Sequence, residues 1–370
     1  MHHVRMTDAA GAAAGAWADE TSATFRVADP LGDLDGVRLV QDVRIPAEHL
    51  TFGRKGGYWE LEIKRPPLNR MEYRLELSHR NGRREVVQDP ANPRNAQGAF
   101  CTTSVLQFPE YEPPSWLSAQ QGAGPGSDGP DATFDVPATA LGVPVPVRLW
   151  TPPGSADDER LPLLVVNDGP EYDSLAMLTR YLSAGITGGW LPRLRAALLG
   201  PGERDDWYSA NARYARGVHH AVLPAIASKV ATSVRIGMGT SLGALAMLHA
   251  HCQYPDSFDA LFLQSGSFFV ARLDPQERRF RYFERIVRFV GRVHSGGILA
   301  RPVPTVLTCG AIEENIENNR LMTRTLLAQG YDAELHEVPD MHNYTAWRDA
   351  FDPFLSGLLR HMGQGMQVSP

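Results

Sequence analysis

The sequence predicts an α/β fold, with a mostly parallel sheet carrying helices on both faces, preceded by a small all-β sandwich of immunoglobulin type. Three observations carry this expectation. Short alternating runs separated by polar turns fill the first third of the chain. Apolar runs alternating with helical stretches fill the rest. A proline- and glycine-rich stretch that fits neither pattern separates the two.

The first elements are β. Ser22–Val27 and Val37–Val43 alternate, and Tyr58–Lys64 puts Trp59, Leu61 and Ile63 on one face. Met71–Leu77 repeats the pattern with Tyr73, Leu75 and Leu77. Asn81-Gly82 then marks a hairpin turn before Glu85–Val87. Asp89–Pro93 carries two prolines, which remove donors and fix φ, so regular structure ends there. The expected organisation is a mobile tail over 1–20, the sandwich over 21–112, a linker over 113–132 and the α/β domain over 133–365. The linker contains Pro113-Pro114 and the run Gly122–Pro130.

In the second domain, Val143–Trp150, Leu161–Asn167, Leu194–Leu199, Leu261–Ser265, Val303–Cys309 and Ala333–Val338 read as strands. Helical stretches lie between them: Leu175–Ala184, Tyr208–Val230 with a break near Pro224, Asn319–Gln329 and Tyr344–His361. The segment Gln276–Arg292 reads as an amphipathic helix. It carries Arg278, Arg279, Arg281, Arg285, Arg288 and Arg292, with Arg272 just before it. One reading is a solvated surface face; another is a wall of a cleft that offers cations to an acidic substrate.

Composition narrows the function. A 43% hydrophobic fraction over 370 residues supports a packed core, and a formal charge of -6 is slight. There is no basic tract, so no nucleic-acid partner is expected. Cys101, Cys252 and Cys309 are widely spaced and odd in number, which fits neither a disulfide framework nor a zinc site. No metal or cofactor is expected. The N-terminal Ala/Gly patch lacks the apolar core of a signal peptide, and no stretch is long enough to span a membrane, so the expected setting is cytoplasmic.

One motif carries chemistry. Ser233–Ile236 reads as strand, Ala244–Leu248 as helix, and the turn between them is Gly239-Thr240-Ser241-Leu242-Gly243. A strand that folds straight back into a helix crowds its flanks, so residues without Cβ stand on either side. The serine between them is held in a strained backbone at a helix N-terminus, with its hydroxyl projecting from the sheet. Such a serine needs a base, and the base needs an acid to fix its tautomer. In this arrangement both follow the serine, acid first, on loops leaving later strands.

His342 follows the last strand directly, at the end of a sheet where open α/β folds build their sites. Of the other histidines, His219 and His220 precede the serine, His249 and His251 lie on the helix after it, and His336 is inside a strand, while His294, in a glycine-bordered loop, is a possible alternative. The preceding loop offers Glu313 and Glu314. Adjacent side chains point apart, so only one can serve; Glu313 is favoured and Glu314 is the alternative. The oxyanion donors expected are the N–H of Leu242 and one from Asp168-Gly169-Pro170-Glu171-Tyr172. Pro170 has no N–H, which leaves Glu171 or, alternatively, Gly169.

Together, the elbow, Asn167–Tyr172, Gly310–Asn319 and Met341–Arg348 resemble the esterase family of α/β-hydrolases that includes esterase D, the feruloyl esterases, the mycolyltransferases and the enterochelin esterases. The enterochelin esterase branch carries an immunoglobulin-like domain before its hydrolase. Its Asp-Pro-x-Asn-Pro and Pro-x-Tyr-x-x-Pro-x-Trp segments are similar to Asp89–Pro93 and Pro109–Trp116. The resemblance implies an α/β-hydrolase fold and a serine esterase with Ser241 as nucleophile, Glu313 as acid and His342 as base. It places Arg204 on a loop bordering the site, with Asp168 and Tyr172 as further candidates for contact with a small-molecule ester. A ferric siderophore lactone is one such ester. Acyl transfer to a sugar acceptor and non-catalytic glycan binding are the alternatives. Ala244 departs from the glycine many members carry there, and Pro170 departs from a residue with an N–H.

Overall fold

A computed structural model describes residues 14–118, 131–298 and 300–364. Most of the expected tail, and 119–130 of the expected linker, lie outside the described residues. The chain divides into two units, one formed by Met1–Glu112 with Pro339–Asn343, the other by Pro113–Val338 with Tyr344–Pro370.

The first unit is built from two antiparallel sheets. Strands β1 (Gly15–Ala18), β2 (Ser22–Ala28), β4 (Gly53–Lys55) and β5 (Tyr58–Lys64) pair in the order β1-β2-β5-β4. Strands β3 (Leu34–Val40), β6 (Arg70–His79), β8 (Asn95–Gln97) and β9 (Thr102–Gln107) pair in the order β3-β6-β9-β8, with β7 (Arg84–Val87) on β6. Strand β1 thus begins inside the stretch read from the sequence as a tail. It pairs Gly15 through Ala18 with Arg26 back to Ala23. The period-two pattern explains the core: Trp59, Leu61 and Ile63 are buried on one face of β5. Phe25 of β2 meets Tyr73 of β6 edge to face at 4.9 Å, joining the two sheets. Tyr73 also donates to Asp89 at 2.7 Å and accepts from Asn92 at 3.0 Å, which fastens the proline-interrupted segment.

The second unit is mixed α/β. Its eight-stranded sheet runs β10-β11-β13-β12-β14-β15-β16-β17. These are Ala132–Val136, Val145–Trp150, Arg195–Leu199, Leu161–Val166, Thr232–Thr240, Ala260–Gln264, Thr305–Gly310 and Ala333–Val338, in that spatial order. β10 and β11 are antiparallel and the other six strands are parallel. All six residues of β12 are buried. Leu163 and Val165 join one core and Leu164 and Val166 the other, so the sheet is covered on both faces. Each such side chain contributes about 1.5–3 kcal/mol of burial.

The helices are α1 (Gly169–Ala176), α2 (Leu178–Thr187), α3 (Arg204–Tyr208), α4 (Ala212–Gly217), α5 (Leu223–Ala227), α6 (Leu242–Gln253), α7 (Phe283–His294), α8 (Ile316–Ala328), α9 (Tyr344–Asp349) and α10 (Ser356–Gln364). Four differ from the sequence reading. The stretch Leu175–Ala184 is divided at Met177, whose φ of 56° separates α1 from α2. The run 212–227 continues through Pro224, because a wide turn over Val218–Val222 comes just before it. There Leu223 donates to Val218 instead of a residue four back. The arginine-rich segment is not one helix: a 3-10 turn over Pro275–Arg279 precedes α7. The final stretch is broken between α9 and α10, with Phe351–Leu355 between them. Among the described residues no helix is long and apolar enough to cross a membrane.

Candidate active site

Strand β14 delivers Ser241 directly into α6. Ser241 has φ 56° and ψ −124°, a conformation costly for any residue with a side chain. Surrounding bonds fix it. Its N–H donates to the Gln264 carbonyl at 2.9 Å, and its carbonyl accepts from the Ser267 N–H at 3.1 Å. The turn needs glycine at 239, where a Cβ would lie 2.5 Å from the backbone C and O of Gly243. Ala244 is fully buried in the core, so its methyl is accommodated. Ser241 Oγ is 3.2 Å from Ser267 Oγ. Leu242, the first residue of α6, has no helical partner for its N–H.

The loop after β12 packs against the elbow. Asn167 donates to the Gly243 carbonyl at 2.9 Å and accepts from Tyr214 at 2.5 Å. Asp168 is buried with φ 52°, and its N–H is engaged by the Tyr208 hydroxyl at 3.1 Å. Its carboxylate takes both arms of Arg204 at 2.8 Å. Burial alone would lower the Arg204 pKa; Asp168 outweighs it and holds the guanidinium charged. Gly169 starts α1 hard against β13, where a Cβ would sit 2.4 Å from Leu198 Cα. Glu171 is half-buried, and one of its carboxylate oxygens is buried without a hydrogen-bond partner. Burial raises its pKa, and the Asp168 charge adds to the rise.

Two residues expected at the substrate, Tyr172 and Asp168, are buried. Tyr172 is fully buried and gives its hydroxyl to Gln264 at 2.8 Å. Asp168, 1% exposed, is paired with Arg204.

The loop after β16 separates the two glutamates. Glu313 is 4% exposed, and its Oε1 accepts from Ser265 Oγ at 2.7 Å and from the Gly310 N–H at 2.8 Å. Glu314 is exposed and meets Gln276 at 3.4 Å. Ser265 Oγ in turn accepts from Trp347 Nε1 at 2.9 Å. The turn Ser265-Gly266-Ser267 therefore touches Glu313 at one end and Ser241 at the other. Asn319 clamps its middle, exchanging bonds of 3.0 Å with both the N–H and the carbonyl of Gly266. Sequence reasoning missed this turn. Its signal was a small-residue triplet straight after a strand, at the same edge as the elbow. His342 is exposed on the loop Pro339–Asn343, which continues from β17 in sequence. Among the described residues no group of three or more His, Cys, Asp or Glu side chains is arranged to hold a metal ion.

No protein-family profile and no curated protein matches the chain. Solved structures do. The Shigella flexneri enterobactin esterase in the presence of enterobactin aligns with TM-score 0.73 at 19% identity, over 94% of this chain and 94% of that one. The same enzyme with 2,3-di-hydroxy-N-benzoyl-glycine aligns with TM-score 0.72 at 18% identity, over 94% of each chain. The ferric enterobactin esterase of Salmonella typhimurium gives TM-score 0.73 and 19% identity over 93% of this chain and 94% of that one. The chain has the enterobactin-esterase fold. A ferulic acid esterase aligns over 63% of this chain and 99% of its own length, with TM-score 0.51 and 12% identity. The enterobactin-esterase alignments thus extend over much more of this chain than that one.

Proposed function

We propose that this chain is a serine carboxylesterase. The observation that carries the reading is Ser241: a strained serine at a strand-to-helix elbow, one turn of chain away from a buried, hydrogen-bonded glutamate. Ser241 Oγ attacks the ester carbonyl while His342 takes its proton, and Glu313 holds the imidazole in the tautomer that can accept it. The carbonyl oxygen, now negative, is received by the Leu242 N–H at the start of α6 and by a second N–H from Glu171 or Gly169. Collapse breaks the bond to the alcohol, which leaves with the proton from His342. Water, activated by the same imidazole, then releases the acid from Ser241.

The substrate reading is narrower. The solved relatives are named for enterobactin, and the segment before and within α7 carries exposed arginines suited to an anionic iron complex. A ferric catecholate lactone is therefore the favoured ester, with the first unit taken as an immunoglobulin-type sandwich.

The test is direct. Ser241→Ala is expected to lower hydrolysis of p-nitrophenyl butyrate by roughly a millionfold with the fold intact by circular dichroism. A fluorophosphonate probe is expected to label Ser241 and no other residue. Retained turnover in the alanine variant would sink the assignment.

A further inference from the structure

Arg70, at the start of β6, is 1% exposed, which is rare for arginine. Its guanidinium makes bonds in three directions. Nε donates to Asp340 Oδ2 at 2.9 Å and Nη2 to Asp340 Oδ1 at 3.2 Å, a fork on one carboxylate. Nη2 also donates to Asn343 Oδ1 at 2.6 Å. Nη1 donates to Glu72 Oε1 at 2.8 Å, and Thr103 donates to the other oxygen of Glu72 at 2.7 Å. One residue earlier, the Asn69 N–H donates to the Pro339 carbonyl at 2.8 Å. Within the loop, Asp340 Oδ1 accepts from the Met341 N–H at 2.7 Å and from Asn343 Nδ2 at 3.3 Å. Asp340 is itself 7% exposed.

These partners are not scattered. Pro339, Asp340 and Asn343 bracket His342 on both sides. A loop of five residues tied at three of them has little freedom left at the fourth. A surface arginine has no reason to be buried this way, because desolvating a guanidinium is costly unless every arm is matched.

We propose that Arg70 is the positioning residue of the His342 loop: through its fork on Asp340 and its bond to Asn343 it fixes where the imidazole stands. The catalytic part of this inference rests on His342 being the base. Arg70 touches no reacting atom. Its effect is on the fraction of time that the imidazole occupies a competent place, and so on kcat more than on KM.

The experiment uses the full chain with labelled histidine, the His342 ring signal being assigned by its loss in His342→Gln. Wild type, Arg70→Met, Arg70→Lys, Asp340→Asn and the double variant Arg70→Met with Asp340→Asn are compared. Wild type is expected to show one sharp His342 signal and Arg70→Met a split or broadened one. Kcat for p-nitrophenyl butyrate is expected to fall about 10- to 100-fold in Arg70→Met, with KM within about threefold. Arg70→Lys, which keeps the charge without the fork, is expected to recover part of the loss. The double variant is expected to be no worse than the single ones, because both remove the same tie. If Arg70→Met does not fold, Arg70→Lys and Asp340→Asn carry the same two readouts. A folded Arg70→Met with an unchanged His342 signal overturns the proposal, and so does a changed signal with kcat within about twofold of wild type. Full turnover in His342→Gln would instead overturn His342 as the base, and the His342 signal would then decide the Arg70 tie alone.

Discussion

Glu313 and Glu314 stand side by side in the sequence and meet opposite environments. Glu313 is buried, with Oε1 held by Ser265 and by the Gly310 N–H, while Glu314 is exposed beside Gln276. Two donors on one oxygen orient the carboxylate plane, which is what an acid partner of a catalytic histidine needs. Glu313→Gln is therefore expected to lower kcat by about four orders of magnitude, and Glu314→Gln to leave it within about twofold, measured on p-nitrophenyl butyrate. Equal losses in the two variants would refute the assignment. The sequence favours Glu313 over Glu314 without showing what orients it, because that partner lies 48 residues away at Ser265. The same distance hid Ser265 and Trp347, whose bond to one another spans 82 residues. The loop after β12 was legible only in part: its glycine and proline fixed the turn, but the partner of the Tyr172 hydroxyl, Gln264, lies 92 residues away.

At the scale of elements, α6 does two jobs: its first turn presents Ser241, and its body is core. His249 on that helix is 5% exposed and meets the edge of Phe289 of α7 at 4.8 Å. Burial lowers its pKa to about 4, and the charge of Arg285 adds to the drop. As pH falls below 6.5 the unfolded chain takes up a proton that the folded chain refuses. The stability this residue confers is thus complete above pH 6.5 and is lost as pH falls toward 4. From pH 7.5 to 5 the loss is about 2 kcal/mol. Urea unfolding at both pH values is expected to show His249→Leu losing less stability than wild type by that amount; identical losses would refute it. Element identity was largely readable, because buried parallel strands write apolar runs and the elbow needs its glycines. Boundaries failed where tertiary bonds intervene. Asp274 accepts from the Val270 N–H and from Asn318, which pins the chain before α7 and splits a segment whose periodicity reads as a single helix.

Across the whole molecule, charge is distributed against its total. The formal net charge is -6, yet Arg272, Arg278, Arg279, Arg281, Arg288 and Arg292 are all exposed within one short segment. Arg285 ties that segment to Asp206 and to the Ser209 carbonyl, beside the Arg204 loop, and Gln276 ties it to Glu314. Asp206 lies in α3 after β13 and Glu314 on the loop after β16, and on the proposed reading the arginines face an arriving anionic substrate. A cluster of like charges attracts a polyanion over roughly a Debye length, about 10 Å at 0.1 M salt and about 3 Å at 1 M. A neutral ester gains nothing from it. Replacing Arg278, Arg279 and Arg281 together by glutamine is therefore expected to raise KM for a ferric catecholate lactone about tenfold at low ionic strength. The difference should shrink toward nothing near 1 M salt, with p-nitrophenyl butyrate unaffected under both conditions. The comparison separates recognition from catalysis, since a variant with a damaged site would lose both substrates together. An unchanged KM for the lactone at low salt would remove the arginines from substrate binding and leave them as a solvated face.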